Sequence, residues 1–267
     1  MFEAIDGIVN TQPLRSNART ALGRALSVMA ELTPRPKEQL RGDFDRIYFH
    51  HVRKTAGTSL VFAFFSLSGA DPHSIERRLF WCSFARVGGV RFVEGNPALI
   101  QEGRYFFAAS HFPSYVARPP RHRTFEFTVL RDPVKRVVSL YRYLRSAESD
   151  NGFIFKAPAN ERAWADGSFR DFLARVRPED LLRQLYMFSP VGDVSETVDV
   201  LGNLNLVMRT ESIESGVESL REMTGISLDV GHKRTTLASE EIEPEELEEA
   251  RERLEPEYEM LRQIEAT

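Results

Sequence analysis

Two short stretches of this sequence combine residue types that could hold and polarise an anion. The first is His51-Val52-Arg53-Lys54-Thr55-Ala56-Gly57-Thr58-Ser59. Lys54 offers a point charge, Thr55, Thr58 and Ser59 offer hydroxyl donors, and the small residues Ala56 and Gly57 let a ligand come close to the backbone. The second runs from Leu130-Arg131-Asp132-Pro133 through Lys135 and Arg136 to Ser139 and Tyr141. An arginine fork at 131 with a hydroxyl at 139 makes a site for a second phosphate-like group. The first stretch is not a Walker loop, which needs Gly, four residues, then Gly-Lys-Ser/Thr. Here the lysine lies three residues before Gly57 and position 52 is Val.

The elements that must position these residues can be read around them. Asp45–His51 is rich in β-formers and reads as a strand, followed by the turn 55–58 and an apolar helix from Ser59 to about Ser68. A strand end facing a helix N-terminus is where an α/β sheet places an anion, because free N–H groups and the helix dipole point there. Arg104–Ser110, Phe125–Leu130 and Asn205–Arg209 read as further buried strands. Asp132 is an N-cap and Pro133 a first helical residue, so a helix runs to about Arg145. On it Asp132, Lys135 or Arg136, and Ser139 share a face, and Arg136 is expected to pair with Asp132. Residues 17–32, 169–176, 179–188 and 213–224 read as helices, and 243–264 as one long helix exposed on one face. Residues 147–167 read as a long loop or small subdomain beside the sheet. Short apolar strands alternating with helices predict an α/β fold with a mostly parallel sheet covered on both faces. Residues 1–43 are read as an N-terminal helical arm and 44–267 as the domain proper.

Composition narrows the function classes. The chain has 267 residues, 42% hydrophobic and 28% charged, which excludes a mainly disordered protein. One cysteine, Cys82, excludes an intramolecular disulfide and any multi-cysteine metal site. The net charge is −4, but residues 240–259 hold eleven Glu against Arg251 and Arg253, so the rest of the chain carries −4 + 9 = +5. That suits a small anionic ligand and is too weak for nucleic acid. The longest largely apolar run, Leu60 to Leu67, is eight residues with Ser66 among them, far short of the roughly 20 a membrane span needs. No signal-peptide pattern opens the sequence, so a cytoplasmic location is expected.

The two stretches resemble the cofactor signatures of the carbohydrate-type sulfotransferases that use 3′-phosphoadenosine-5′-phosphosulfate (PAPS). The family's first signature reads roughly His-Ile-Pro-Lys-Thr-Gly-Gly-Thr-Ser, and residues 51–59 follow it. The second reads roughly Leu-Arg-Asp-Pro-x-x-Arg-x-x-Ser-x-Tyr, and Leu130 through Tyr141 follow it. Weaker similarity continues through Ser110-His111-Phe112-Pro113, Arg209-Thr210-Glu211 and Leu254–Leu261, covering about 45–261. Three departures stand out. Arg53 replaces a proline, His232-Lys233-Arg234-Thr235 stands where the family often has His-x-Asn-x-Thr, and Ala56 replaces a glycine. The last is free of strain if its φ is negative.

The resemblance implies a three-layer, P-loop-NTPase-like sulfotransferase fold. It implies that Lys54, Thr55, Ala56, Gly57, Thr58 and Ser59 cradle the 5′-phosphosulfate, and that Arg131 and Ser139 bind the 3′-phosphate. Sulfuryl transfer is then a loose in-line displacement, with Lys54 stabilising the leaving phosphate and no metal needed. His111, at the end of the second strand, is the candidate general base for an acceptor hydroxyl, expected on a glycan or glycolipid. His51 is read as orienting and Glu211 as structural. The Arg118–Arg123 cluster is a solvated loop or, on the functional reading, a clamp for an anionic acceptor. Acceptor choice is expected in loops such as 70–100 and 147–167. The competing readings are a nucleotide kinase of related fold and a non-catalytic module that binds adenosine bisphosphate.

Overall fold

Six strands form one sheet among the residues described by the structure, a computed structural model covering 13–31, 40–146, 157–231 and 241–266. They are β1 (Arg46–His50), β2 (Phe84–Val87), β3 (Val90–Glu94), β4 (Phe107–Ser110), β5 (Thr124–Leu130) and β6 (Leu206–Arg209). The helices before the middle of the chain are α1 (Pro13–Glu31), α2 (Gly57–Ser66), α3 (Pro72–Cys82), α4 (Pro97–Glu102) and α5 (Pro133–Ser146). Then come α6 (Ala159–Arg162), α7 (Phe169–Arg175), α8 (Pro178–Leu181), α9 (Arg183–Tyr186) and α10 (Val194–Gly202). The last are α11 (Ile213–Thr224), α12 (Pro244–Arg253) and α13 (Glu255–Glu265).

The strand order is β2-β3-β4-β1-β5-β6. β2 and β3 are antiparallel, and every other pairing is parallel. The chain leaves β1 toward the β2 edge and leaves β5 toward the β6 edge. The order therefore reverses between the C-terminal ends of β1 and β5, which is where such sheets open a ligand crevice. Register brings the residues there to one level: His50 lies opposite Ser110 of β4 and Thr128 of β5. The residues that follow, His51, His111 and Arg131, all emerge at that edge.

Alternation along β1 explains the layers. Ile47 and Phe49 join a core with Leu60, Phe64 and Phe65 of α2, while Tyr48 faces Leu99 and Ile100 of α4 on the other side. Phe49 stacks on Phe127 at 4.6 Å and Phe64 on Phe107 at 3.9 Å. Helix α2 is buried along most of its length and backs the loop that precedes it.

Several expectations need correction. Residues 70–100 are not a loop: they form α3, β2, β3 and the start of α4. The hairpin turns at Gly88 and Gly89, both at positive φ. The helix read over 179–188 is two short helices, α8 and α9. The long C-terminal helix breaks at Leu254, because Pro256 fits only the first turn of a new helix. Residues 147–156 and 232–240, including His232, lie outside the described residues.

Candidate active site

The loop between β1 and α2 is drawn tight by its own side chains. The Thr55 hydroxyl donates to the Val52 carbonyl at 2.9 Å and is buried. Its donor is therefore spent within the loop, leaving its backbone for a ligand. Thr210 Oγ1 lies 3.1 Å from the Thr55 carbonyl and 3.2 Å from that of Leu130, tying the loop to the end of β5. Gly57 opens α2 where no side chain fits: a Cβ there would lie 2.3 Å from the His51 ring and 2.9 Å from the Phe49 ring. Ala56 has φ +65°, not the negative value that would spare it strain, and Lys54 has φ +70°. Each left-handed non-glycine residue costs about 1–2 kcal/mol. Such residues in a turn curl successive N–H groups into a concave anion nest. Ala56 supplies no side-chain cap to α2; the Ser59 N–H donates to the Ala56 carbonyl at 3.1 Å, and the opening turn of a helix is where N–H groups and the dipole favour an anion.

Arg131 sits directly beside this loop, its Nη1 donating to the Lys54 carbonyl at 3.1 Å. Its Nε is buried with no partner among the described residues. Burial lowers the guanidinium's pKa, partly offset by Glu211 and Asp132. A dehydrated cation with an unused donor is the chemistry a phosphate group satisfies, so these residues fit a bisphosphorylated ligand. Ser139 is half-buried on α5.

Asp132 caps α5 by accepting from the Lys135 N–H at 2.8 Å, and its other oxygen accepts from the Tyr258 hydroxyl at 3.0 Å. The expected pairing of Arg136 with Asp132 does not form. Arg136 is fully buried, lies 3.5 Å from the Glu257 carboxylate, and donates to the carbonyls of Asp180 and Leu181. It points away from the cap because its acceptors lie in the core below the helix. Glu211 accepts from the Asp132 N–H at 2.8 Å.

His111 Nδ1 lies 2.7 Å from the His51 carbonyl. A carbonyl only accepts, so Nδ1 carries the hydrogen and Nε2 of the neutral ring keeps its lone pair. The two imidazoles lie 4.1 Å apart, and His51 is buried, stacked on Phe49. His111 keeps an exposed edge, yet its pKa is pushed down to about 3. Protein crowding the ring is the first cause, and the charges of Arg53, Arg183 and Lys54 add to it. Water at the open edge softens the first cause, and the cations sustain the downward direction. Arg183 holds the His111 carbonyl through Nη2 at 2.5 Å.

The Lys54 ammonium lies 4.3 Å above the Tyr143 ring, within cation–π range. Arg53 pairs with Glu161 at 2.9 Å and Asp180 at 4.0 Å, so the loop is also fastened to α6 and α8. The sequence reading missed Glu161, Arg183, Gln184 and Glu257 as site neighbours, because they sit on elements distant in the chain, and it passed over Tyr143, which lies on α5 one turn beyond Ser139. The Arg121–Arg123 end of the basic cluster precedes β5 and lies at the opposite end of the sheet. Arg123 pairs there with Asp45 at 2.7 Å, so those residues cannot clamp an acceptor beside Lys54. Among the described residues, no group of three or more His, Cys, Asp or Glu could hold a metal ion. No helix among them is long and apolar enough to cross a membrane.

The model of the sulfotransferase family matches residues 39–264. The comparison with curated proteins gives no match. Among solved structures, the crystal structure of a sulfotransferase from Alicyclobacillus acidocaldarius is 16% identical, with 92% of each chain covered and a TM-score of 0.35. With the family match spanning residues 39–264, which take in all six strands and both segments of the candidate site, the chain belongs to the sulfotransferase family.

Proposed function

We propose that this sulfotransferase moves the sulfuryl group of PAPS to a hydroxyl of a glycan or glycolipid. The observation that carries this reading is the joining of the two anion-binding segments at one crevice, Arg131 bonded to the Lys54 carbonyl with its Nε still unpaired. In this reading the nest from Lys54 to Ser59 takes the 5′-phosphosulfate, and Arg131 with Ser139 takes the 3′-phosphate. The acceptor oxygen attacks sulfur in line, and the bond from sulfur to the bridging phosphate oxygen breaks. Adenosine 3′,5′-bisphosphate departs, its growing charge met by Lys54 and the loop N–H groups. The acceptor proton passes to Nε2 of His111, whose tautomer the His51 carbonyl favours. A low pKa keeps that nitrogen free at neutral pH, and the arriving anions raise its basicity. Residues 1–43 are taken as an arm: α1 reaches the domain through Thr20 to Asn96 at 3.1 Å and Arg24 to Glu102 at 2.8 Å.

The test is sulfate transfer from labelled PAPS to a panel of glycans, glycolipids and small alcohols, with calorimetry of bisphosphate binding. We expect micromolar bisphosphate binding, weakened by Arg131→Ala and by Ser139→Ala, and lost turnover with retained donor affinity in His111→Ala. Binding of ATP without binding of the bisphosphate would refute the reading in favour of a kinase. Bisphosphate binding without transfer to any acceptor would favour a non-catalytic module.

A further inference from the structure

Arg131 follows the last residue of β5 and stands two residues before the first of α5, where neither sheet nor helix holds it. Its peptide groups are instead held by one side chain. Gln184 Oε1 accepts from the Arg131 N–H at 2.8 Å, and Gln184 Nε2 donates to the Arg131 carbonyl at 3.0 Å. Glu257 holds that glutamine in turn. Its Oε2 accepts from Gln184 Nε2 at 2.8 Å and its Oε1 from the Gln184 backbone N–H at 2.7 Å. Gln184, Glu257 and the nearby Arg136 are all fully buried.

The donors and acceptors allow one arrangement. A carboxylate only accepts, so the glutamine nitrogen must face Glu257 and its oxygen must face the Arg131 N–H. Both hydrogens of Nε2 and both oxygens of Glu257 are used, and the charge of Glu257 is countered by Arg136 at 3.5 Å. The clamp fixes the N–H and the carbonyl on either side of the Arg131 Cα, and with them the direction of its side chain. Among the described residues, neither Gln184 nor Glu257 has a side-chain hydrogen bond to the loop that holds Lys54; the clamp reaches that loop through the Arg131 guanidinium.

We infer that Gln184 and Glu257 are positioning residues for the 3′-phosphate subsite: Glu257 orients Gln184, and Gln184 aims Arg131. This rests on the reading that Arg131 takes the 3′-phosphate. It makes the last helix part of the donor site, although its sequence is that of an acidic surface helix. The donor's selectivity for a 3′-phosphorylated nucleotide then depends on two residues that never touch it.

The experiment is calorimetry on the full chain with adenosine 3′,5′-bisphosphate and adenosine 5′-monophosphate, in wild type, Gln184→Met and Glu257→Gln. Wild type should prefer the bisphosphate by about tenfold or more, the value of a charge-assisted phosphate contact. Each variant should lose most of that preference, its monophosphate affinity falling much less than its bisphosphate affinity, since the clamp reaches the 5′ nest only through the Arg131 bond to the Lys54 carbonyl. A preference unchanged in both variants overturns the inference, and so does a proportional loss for both ligands, which marks a merely structural role. Absence of any preference in wild type overturns the reading of Arg131 instead. The clamp can also be read without mutation: the Arg131 amide should exchange hydrogen about a hundredfold or more slower than an open amide. Free exchange there overturns the inference even if neither variant folds.

Discussion

The guanidinium of Arg131 donates to the carbonyl of Lys54 at 3.1 Å, so the two segments of the candidate site are joined by the chain's own residues. This bond lies at the crevice where the sheet order reverses and, with Thr210 bridging the Thr55 and Leu130 carbonyls, it fixes one segment against the other; on the proposed reading it also sets the spacing between the two phosphate positions. Lysine could keep the charge at 131 but not the fork, because an ammonium cannot present parallel donors to the loop carbonyl and to a phosphate at once. Arg131→Lys should therefore weaken bisphosphate binding by about tenfold, the loss of one charge-assisted hydrogen bond. Titration calorimetry reads this directly. Affinity within about twofold of wild type would show that the fork is not what binds the 3′-phosphate.

Ala56 stores strain that a glycine would release. Its φ of +65° lies in the region that costs an L-residue about 1–2 kcal/mol. Glycine gives back part of that gain through greater freedom in the unfolded chain, leaving a net of about 0.5–1 kcal/mol. Ala56→Gly should raise the melting temperature by about 1–4 °C for a domain of this size. A melting temperature lower than wild type would contradict the strained conformation of the loop.

Both segments of the candidate site were legible because each is contiguous. The Asp132-Pro133 start and the small residues at 56 and 57 are local signals for a helix entry at a strand end. The clamp on Arg131 was not legible, since Gln184 lies 53 residues away in the chain and nothing in its neighbourhood marks it. Glu257 was hidden in plain composition. Eleven glutamates in 240–259 suggested a solvated face, yet Glu257 shares a stripe with Met260 and Leu261 at spacings of three and four, and all three are buried. The β2–β3 hairpin carried a signal that the reading passed over, Gly88-Gly89 between two runs of β-formers. Arg136 was assigned to the wrong partner because helix spacing brings Asp132 near it, whereas burial turns its side chain toward Glu257.

Acid should unfold this protein partly through His51. Burial, then the charges of His111, Lys54 and Arg53, hold its pKa well below the usual value of 6.5. In the unfolded chain it protonates normally, so below about pH 6.5 the unfolded state binds more protons and stability falls as pH falls. His51→Asn removes that proton uptake. Urea midpoints at about pH 7.5 and 5.5 should fall more steeply in wild type than in the variant. Equal falls would mean that His51 titrates as an exposed histidine does.

Arg53, where the family carries proline, links the loop to α6 and α8 and also lies closest in electrostatic effect to His111. Burial works against its charge, but Glu161 and Asp180 outweigh that and raise its pKa. Among charged groups, Arg53 is the largest cause of the lowered pKa of His111. Replacing it has two separable effects. The half-buried pair with Glu161 is lost, while Asp180 keeps Arg177 at 2.6 Å, so stability should drop by only about 1 kcal/mol. Removing a positive charge also favours the protonated imidazole, so the pKa of His111 should rise. In both Arg53→Met, which leaves the backbone unconstrained, and Arg53→Pro, the NMR titration of His111 should move to higher pH. If His111 is the base, the acid limb of turnover should move with it, because more of the ring is protonated at any given pH. A His111 titration identical to wild type in both variants would show that Arg53 acts on the loop through its ion pair alone.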